Sequence, residues 1–360
     1  MQSALYPLKF HPLYKNVLWG GNRLRAYGFD YEPLPNCGEL WALSGVEGRE
    51  SVVANGFLAD NTLNEVVEIY MGDLVGEKVY NRFGNEFPLL VKLIDAADDL
   101  SVQVHPGDEL ARRRGMAQGK TEMWYVMHSE PEARLVSGFS RDTSAAECEE
   151  ALRRGSLASL LHSEHPEAGA VYFIPAGRIH SLGRGITVAE IQQTSDCTYR
   201  VYDYDRTDAN GQKRQLHTAE ALEALDYSGI GGRADTRYER RHNASTTVAS
   251  CPYFTARLVS LDTPIRKNLE GVDSFVAYLC VEGLAAVKSM GTVAPVHVGE
   301  CVLVPAVADS VELFSEGRAA LLEVSIDTDG WTDGPRIEND WLAQWGAGPG
   351  LGVGSRLRQG

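Results

Sequence analysis

Leu100-Ser101-Val102-Gln103-Val104-His105-Pro106 alternates apolar and polar residues without a break. Side chains two apart along a strand point to one face, so Ser101, Gln103 and His105 line one surface and Leu100, Val102 and Val104 the other. A hydroxyl, an amide and an imidazole aimed at one spot make poor core. They make a good metal site if other ligands converge on them. Two later stretches offer such ligands: Gly119-Lys120-Thr121-Glu122-Met123-Trp124-Tyr125 and Ile174-Pro175-Ala176-Gly177-Arg178-Ile179-His180-Ser181-Leu182-Gly183.

Around this stretch, short apolar runs separated by Gly, Pro, Asn and Asp dominate, as in an antiparallel β protein. The runs Glu65–Tyr70, Pro88–Ile94, Ala170–Ile174 and Thr187–Gln192 read as strands. Helical signals are few: one spans Thr143 to Leu161, another Thr218 to Leu225. The βαβ rhythm of a parallel sheet is absent, and so is any glycine-rich phosphate loop. The arginine-rich stretch Gly229 to Asn243 reads as a connector between two β domains, because further strand-like runs follow it. The run His297–Pro305 echoes Val171–Pro175, which points to two related barrels. The expected division is a domain over 1–228 with a helical insertion at about 107–165, a connector over 229–245, and a second, structural domain over 246–330. A Gly-rich tail over 331–360 is expected to be flexible.

The formal net charge of -15 argues against nucleic acid as a partner, since phosphate neutralisation needs clustered Lys and Arg. It does not exclude a small anionic substrate, because exposed charges are screened beyond about 8 Å and local pocket cations decide. Six scattered cysteines without a CxxC pair read as reduced thiols. No signal peptide is evident, and no run approaches the ~18 apolar residues of a membrane helix. These features point to a soluble, cytoplasmic protein with no membrane partner.

A catalytic divalent cation needs three or four N, O or S ligands and an open position. Gln103 and His105 come from one strand, Glu122 shares a strand face with Lys120, and His180 follows a Pro-Ala-Gly turn that can return it to the same place. Without thiolates, such a set favours a catalytic over a structural zinc. Taken singly, each of these residues is an ordinary surface or hydrogen-bonding group; convergence is what counts. His297 has no partner ligands of similar spacing, so no metal is expected in the second half. Glu190 and Gln192 share one strand face, at a barrel mouth or on a solvated side. Arg200, flanked by aromatics and aspartates, reads alone as a salt-bridge residue, and Arg178 as either a pocket or a turn residue.

Taken together, six segments resemble the type I mannose-6-phosphate isomerases in their shorter bacterial form. They are Gly38–Trp41, Pro88–Ala96, Leu100–Pro106, Gly119–Tyr125, Pro175–Leu182 and Glu190–Arg200. The resemblance covers about the first 330 residues. It implies cupin-type (jelly-roll) β-barrels in a mainly β chain, and interconversion of mannose 6-phosphate and fructose 6-phosphate with one Zn²⁺ per subunit. On matching positions it implies metal ligands at Gln103, His105, Glu122 and His180 and a catalytic arginine at Arg200. Ser101 and Lys120 would lie beside the substrate, and Glu190 would be a candidate proton-transfer residue. One departure stands out: longer relatives place a histidine where this chain has Gly119. The competing readings are a cupin oxygenase built on an iron site and a sugar-binding cupin without catalysis.

Overall fold

The computed structural model describes residues 5–329 apart from 208–210 and 231, together with Trp331. The rest of the expected flexible tail lies outside the described residues. The chain is mainly β, with strands arranged in two seven-stranded sheets, one of five and one of four. Leu89–Ala96, Val171–Ile174 and Ile186–Gln193 are strands in which every residue is buried, as expected of apolar runs covered on both faces. Val102–Val104 is a strand within the alternating stretch Leu100–Pro106.

One expected strand is a helix. Glu65–Tyr70 lies inside Leu63–Val75. Its β-branched residues mimic a strand, but Leu63, Val66, Val67 and Leu74 recur at helical spacing and are buried. Thr62 and Glu65 form a capping box: the Glu65 backbone N–H donates to Thr62 Oγ1 at 3.3 Å, and the Thr62 N–H donates to Glu65 Oε2 at 2.7 Å. Thr62→Ala is expected to lower stability by about 1 kcal/mol; a urea midpoint that does not move would show the cap to be dispensable.

The helical part of the 107–165 span is confined to Asp108–Arg113, Ala145–Arg153 and the short turn Leu157–Ser159. The same span also supplies the sheet strands Glu122–Ser129 and Leu135–Phe139. The second expected helix is present as Thr218–Ala224. Within the expected connector, Asp235–Thr236 pairs with Val171 and Tyr172, and the Tyr238 hydroxyl donates to the Gly169 carbonyl at 2.5 Å. The two halves also share a sheet. Leu8–His11 sits between Cys301–Val304 and Val52–Val53, in a sheet otherwise built from residues 244–325.

The site is positioned by two sheets that face each other. The seven-stranded one runs Asp235–Thr236, Val171–Ile174, Glu122–Ser129, Ile186–Gln193, Leu89–Ala96, Glu39–Ser44, Leu13–Lys15. The five-stranded one runs Tyr199–Tyr202, Val102–Val104, His180–Leu182, Leu135–Phe139, Leu161–Glu164. Among the described residues, no helix is long and apolar enough to cross a membrane. All six cysteines are free.

Candidate metal centre and active site

Register brings the polar residues together. On the five-stranded sheet Gln103 lies opposite both His180 and Arg200, so the three side chains share a face. His105 follows Gln103 by two residues. On the facing sheet one lateral row reads Trp41, Lys92, Glu190, Trp124, Tyr172, each opposite the next. One step along the same face lies Glu122, opposite Gln192.

At the centre, Glu122 Oε2 lies 3.3 Å from His105 Nε2, and Glu122 Oε1 lies 3.3 Å from His180 Nε2. The other ring nitrogens settle the tautomers. His105 Nδ1–H donates to the Cys197 carbonyl at 2.8 Å, and His180 Nδ1–H donates to the Arg178 carbonyl at 2.8 Å. A carbonyl can only accept, so both Nε2 atoms of the neutral rings present lone pairs. These lone pairs face carboxylate oxygens, which also present lone pairs. All three side chains are at most 1 % exposed; His105 Nε2 and Glu122 Oε1 lack a hydrogen-bond donor, and the cation facing Glu122 Oε2 is Lys120 Nζ at 3.1 Å. Buried acceptors facing acceptors are a costly arrangement that a cation relieves. Among the described residues this is the group of three whose donor atoms could hold a metal ion.

Gln103 completes the ring of groups. Its Nε2 is placed 3.2 Å from His180 Nε2, while Ser101 Oγ donates to its Oε1 at 3.4 Å. Rotating the amide by half a turn exchanges the two atoms and puts the oxygen toward the histidines, where a ligand oxygen belongs.

Electrostatics support neutral imidazoles beside a carboxylate. Burial, with Lys120 adding to it, pushes His105 down to about 3. Burial also lowers His180. For Glu122 burial works against ionisation, yet Lys120, with Nζ 3.1 Å away, holds it well below the usual carboxylate range.

The second cluster is a charge ladder. Lys92 Nζ lies 2.9 Å from Glu190 Oε1 and 3.8 Å from Glu39 Oε2. Lys120 Nζ lies 4.0 Å from Glu190 Oε1, and Trp124 Nε1–H donates to Glu190 Oε2 at 2.7 Å. Burial and the Glu122 charge push Glu190 up despite its two lysines. Burial opposes the charge of Lys92, but Glu190 and Glu39 hold its pKa above the usual lysine value. Burial would raise Glu39, and Lys92 and Lys15 instead hold it at about 2.

These groups line a cleft of about 330 Å³ that also takes in Ser101, Gln103, Arg200 and Arg214. Arg200 Nη1 donates to the Gln215 carbonyl at 2.8 Å, and its buried Nε has no acceptor. Arg178 is a turn residue: its Nη1 donates to the Phe173 carbonyl at 2.9 Å, and it is absent from the cleft wall. A larger cleft of about 470 Å³, between Lys9, Tyr27, His297 and Glu300, holds none of the expected site residues.

Three residues of the cleft wall are not marked out by the sequence pattern used above: Lys92, Glu39 and Arg214. For Lys92 the signal was there. It is the one charge inside Leu89–Ile94, and a lysine in a strand buried on both faces needs an anionic partner. At Gly119, a Cβ would lie 2.7 Å from Pro106 O, Gly107 C and Asp108 N. A histidine there would force this backbone to move, so the departure from longer relatives is built into the loop.

The model of the catalytic domain of type I phosphomannose isomerase matches residues 7–132. Mannose-6-phosphate isomerase ManA of Bacillus subtilis is 34% identical over 304 residues, covering 83% of this chain and 93% of that protein. The chain belongs to the type I phosphomannose isomerase family. A mannose-6-phosphate isomerase of Streptococcus mutans is 36% identical over 250 residues, 69% of this chain and 77% of that protein. Among solved structures, the B. subtilis mannose 6-phosphate isomerase superposes with a TM-score of 0.76 at 31% identity, covering 88% of this chain and 99% of that one. A Salmonella typhimurium phosphomannose isomerase, 17% identical with a TM-score of 0.70, shares the fold.

Proposed function

We propose that the chain interconverts mannose 6-phosphate and fructose 6-phosphate, with one Zn²⁺ per subunit held by Gln103, His105, Glu122 and His180. The observation that carries this reading is the set of buried lone pairs from His105, Glu122 and His180 converging beside a cleft lined by Lys120, Glu190 and Arg200. Two imidazoles, one carboxylate and one amide without thiolate suit zinc, and family membership favours isomerisation over oxygen chemistry or mere sugar binding. When bound, such a cation acts as a Lewis acid at the sugar carbonyl.

The remaining work falls to side chains. Aldose–ketose isomerisation removes the proton on C2, passes through a cis-enediolate and returns a proton to C1. Glu190 takes and returns that proton: its raised pKa favours a carboxylate able to accept one. Lys92 and Trp124 fix both of its oxygens. Arg200 remains protonated and stabilises charge on the enediolate oxygens, a role its unpaired Nε leaves open. Ser101 and Lys120 contact the substrate from the cleft wall, and Lys120 donates to a sugar oxygen. Arg200 and Arg214 supply local positive charge for the phosphate in a chain of net charge -15.

In the same reading the facing sheets around the site form one cupin-type barrel and the C-terminal sheets a second, structural one. The partner is a small sugar phosphate, and the location is the cytoplasm. A coupled assay of fructose 6-phosphate formation from mannose 6-phosphate tests the function. Turnover is expected in the purified protein, loss after chelation, and recovery on adding back zinc. Turnover indifferent to a chelator that removes all bound metal would overturn the metal-dependent mechanism.

A further inference from the structure

The C-terminal half supplies none of the proposed ligands, yet one of its side chains reaches the loop between His105 and Glu122. Tyr253, in the turn between Ala244–Ser250 and Thr255–Leu261, donates its hydroxyl to Asp108 Oδ2 at 3.1 Å. The other Asp108 oxygen accepts the Gly119 N–H at 2.8 Å and the Gln193 amide at 3.1 Å. Gln193 in turn accepts the Thr121 N–H at 2.8 Å, and the Lys120 N–H donates to the Pro106 carbonyl at 3.0 Å. The N–H groups on either side of Lys120 are therefore held by Asp108 and Gln193, and its own by the Pro106 carbonyl. The absent side chain at Gly119 lets the 106–108 backbone close down on it.

We propose that Asp108 and Tyr253 are positioning residues: through the 119–121 backbone they fix the Lys120 ammonium between Glu122 and Glu190, coupling the C-terminal half to the site. The inference rests on the isomerase reading. Lys120 sits 3.1 Å from Glu122 and 4.0 Å from Glu190, and a displacement near 1 Å in such a group costs ~10² in rate.

The test compares Tyr253→Phe, Asp108→Ala, Asp108→Asn and the Tyr253→Phe/Asp108→Ala double variant, at a temperature where circular dichroism shows all folded. Expected are a roughly tenfold fall in kcat/KM for Tyr253→Phe and a ~10²-fold fall for Asp108→Ala. The double variant should be no worse than Asp108→Ala. Asp108→Asn should stay near wild type, because the amide oxygen still accepts from Gly119 while its NH₂ donates to the Tyr253 oxygen. Metal content should be unchanged throughout. Wild-type kcat/KM in Tyr253→Phe and Asp108→Ala, with only their melting temperatures lowered, would overturn the proposal. So would additive losses in the double variant. If the wild-type protein turns over no mannose 6-phosphate, the reaction reading fails by itself. Amide exchange at Gly119–Thr121 then decides positioning: faster exchange in Tyr253→Phe supports it, and unchanged exchange refutes it.

Discussion

His180→Ala is expected to lose bound metal and turnover together. The Nε2 lone pair of His180 faces Glu122 Oε1 because the Arg178 carbonyl claims the proton on Nδ1. Alanine removes that donor and leaves a buried carboxylate with a vacancy on one side. A bound cation supplies several kcal/mol of charge stabilisation, and each 1.4 kcal/mol is tenfold, so turnover should fall by ~10³ or more. Elemental analysis of the purified variant alongside the coupled assay reads both effects. A variant that keeps full metal and wild-type turnover would remove His180 from the site.

Glu190→Gln separates chemistry from metal binding. The amide keeps the shape of the carboxylate and can still accept from Trp124 Nε1–H, but it can no longer take a proton. A positioned acid–base group contributes ~10²–10⁴ in rate, and turnover should fall by that much. Metal content should hold, since Glu190 contacts Lys92, Lys120 and Trp124 rather than the histidines. Near wild-type turnover in this variant would take Glu190 out of the mechanism.

Much of the site was legible in local pattern. Period-two alternation placed Ser101, Gln103 and His105 on one face, and pairing of that strand with His180–Leu182 and Tyr199–Tyr202 carries the same face to His180 and Arg200. What local pattern cannot encode is which distant strands pair. Nothing in Leu8–His11 announces Cys301–Val304 as its neighbour, nor does Tyr253 announce Asp108. Glu65–Tyr70 resembles a strand because β-branched residues weigh that way, while the deciding signal is its own Glu65 paired with Thr62 three residues earlier in a capping box. In the run around Lys92 the apolar continuity signals only a buried strand, and the lone charge within it is the informative residue.

The proposed mechanism requires that Gln103, His105, Glu122 and His180 hold one cation. Anomalous diffraction at the zinc absorption edge, on crystals of the purified protein, tests it most directly. A single peak enclosed by Gln103, His105, Glu122 and His180 is expected. A peak elsewhere, or none there after zinc has been supplied, would contradict it.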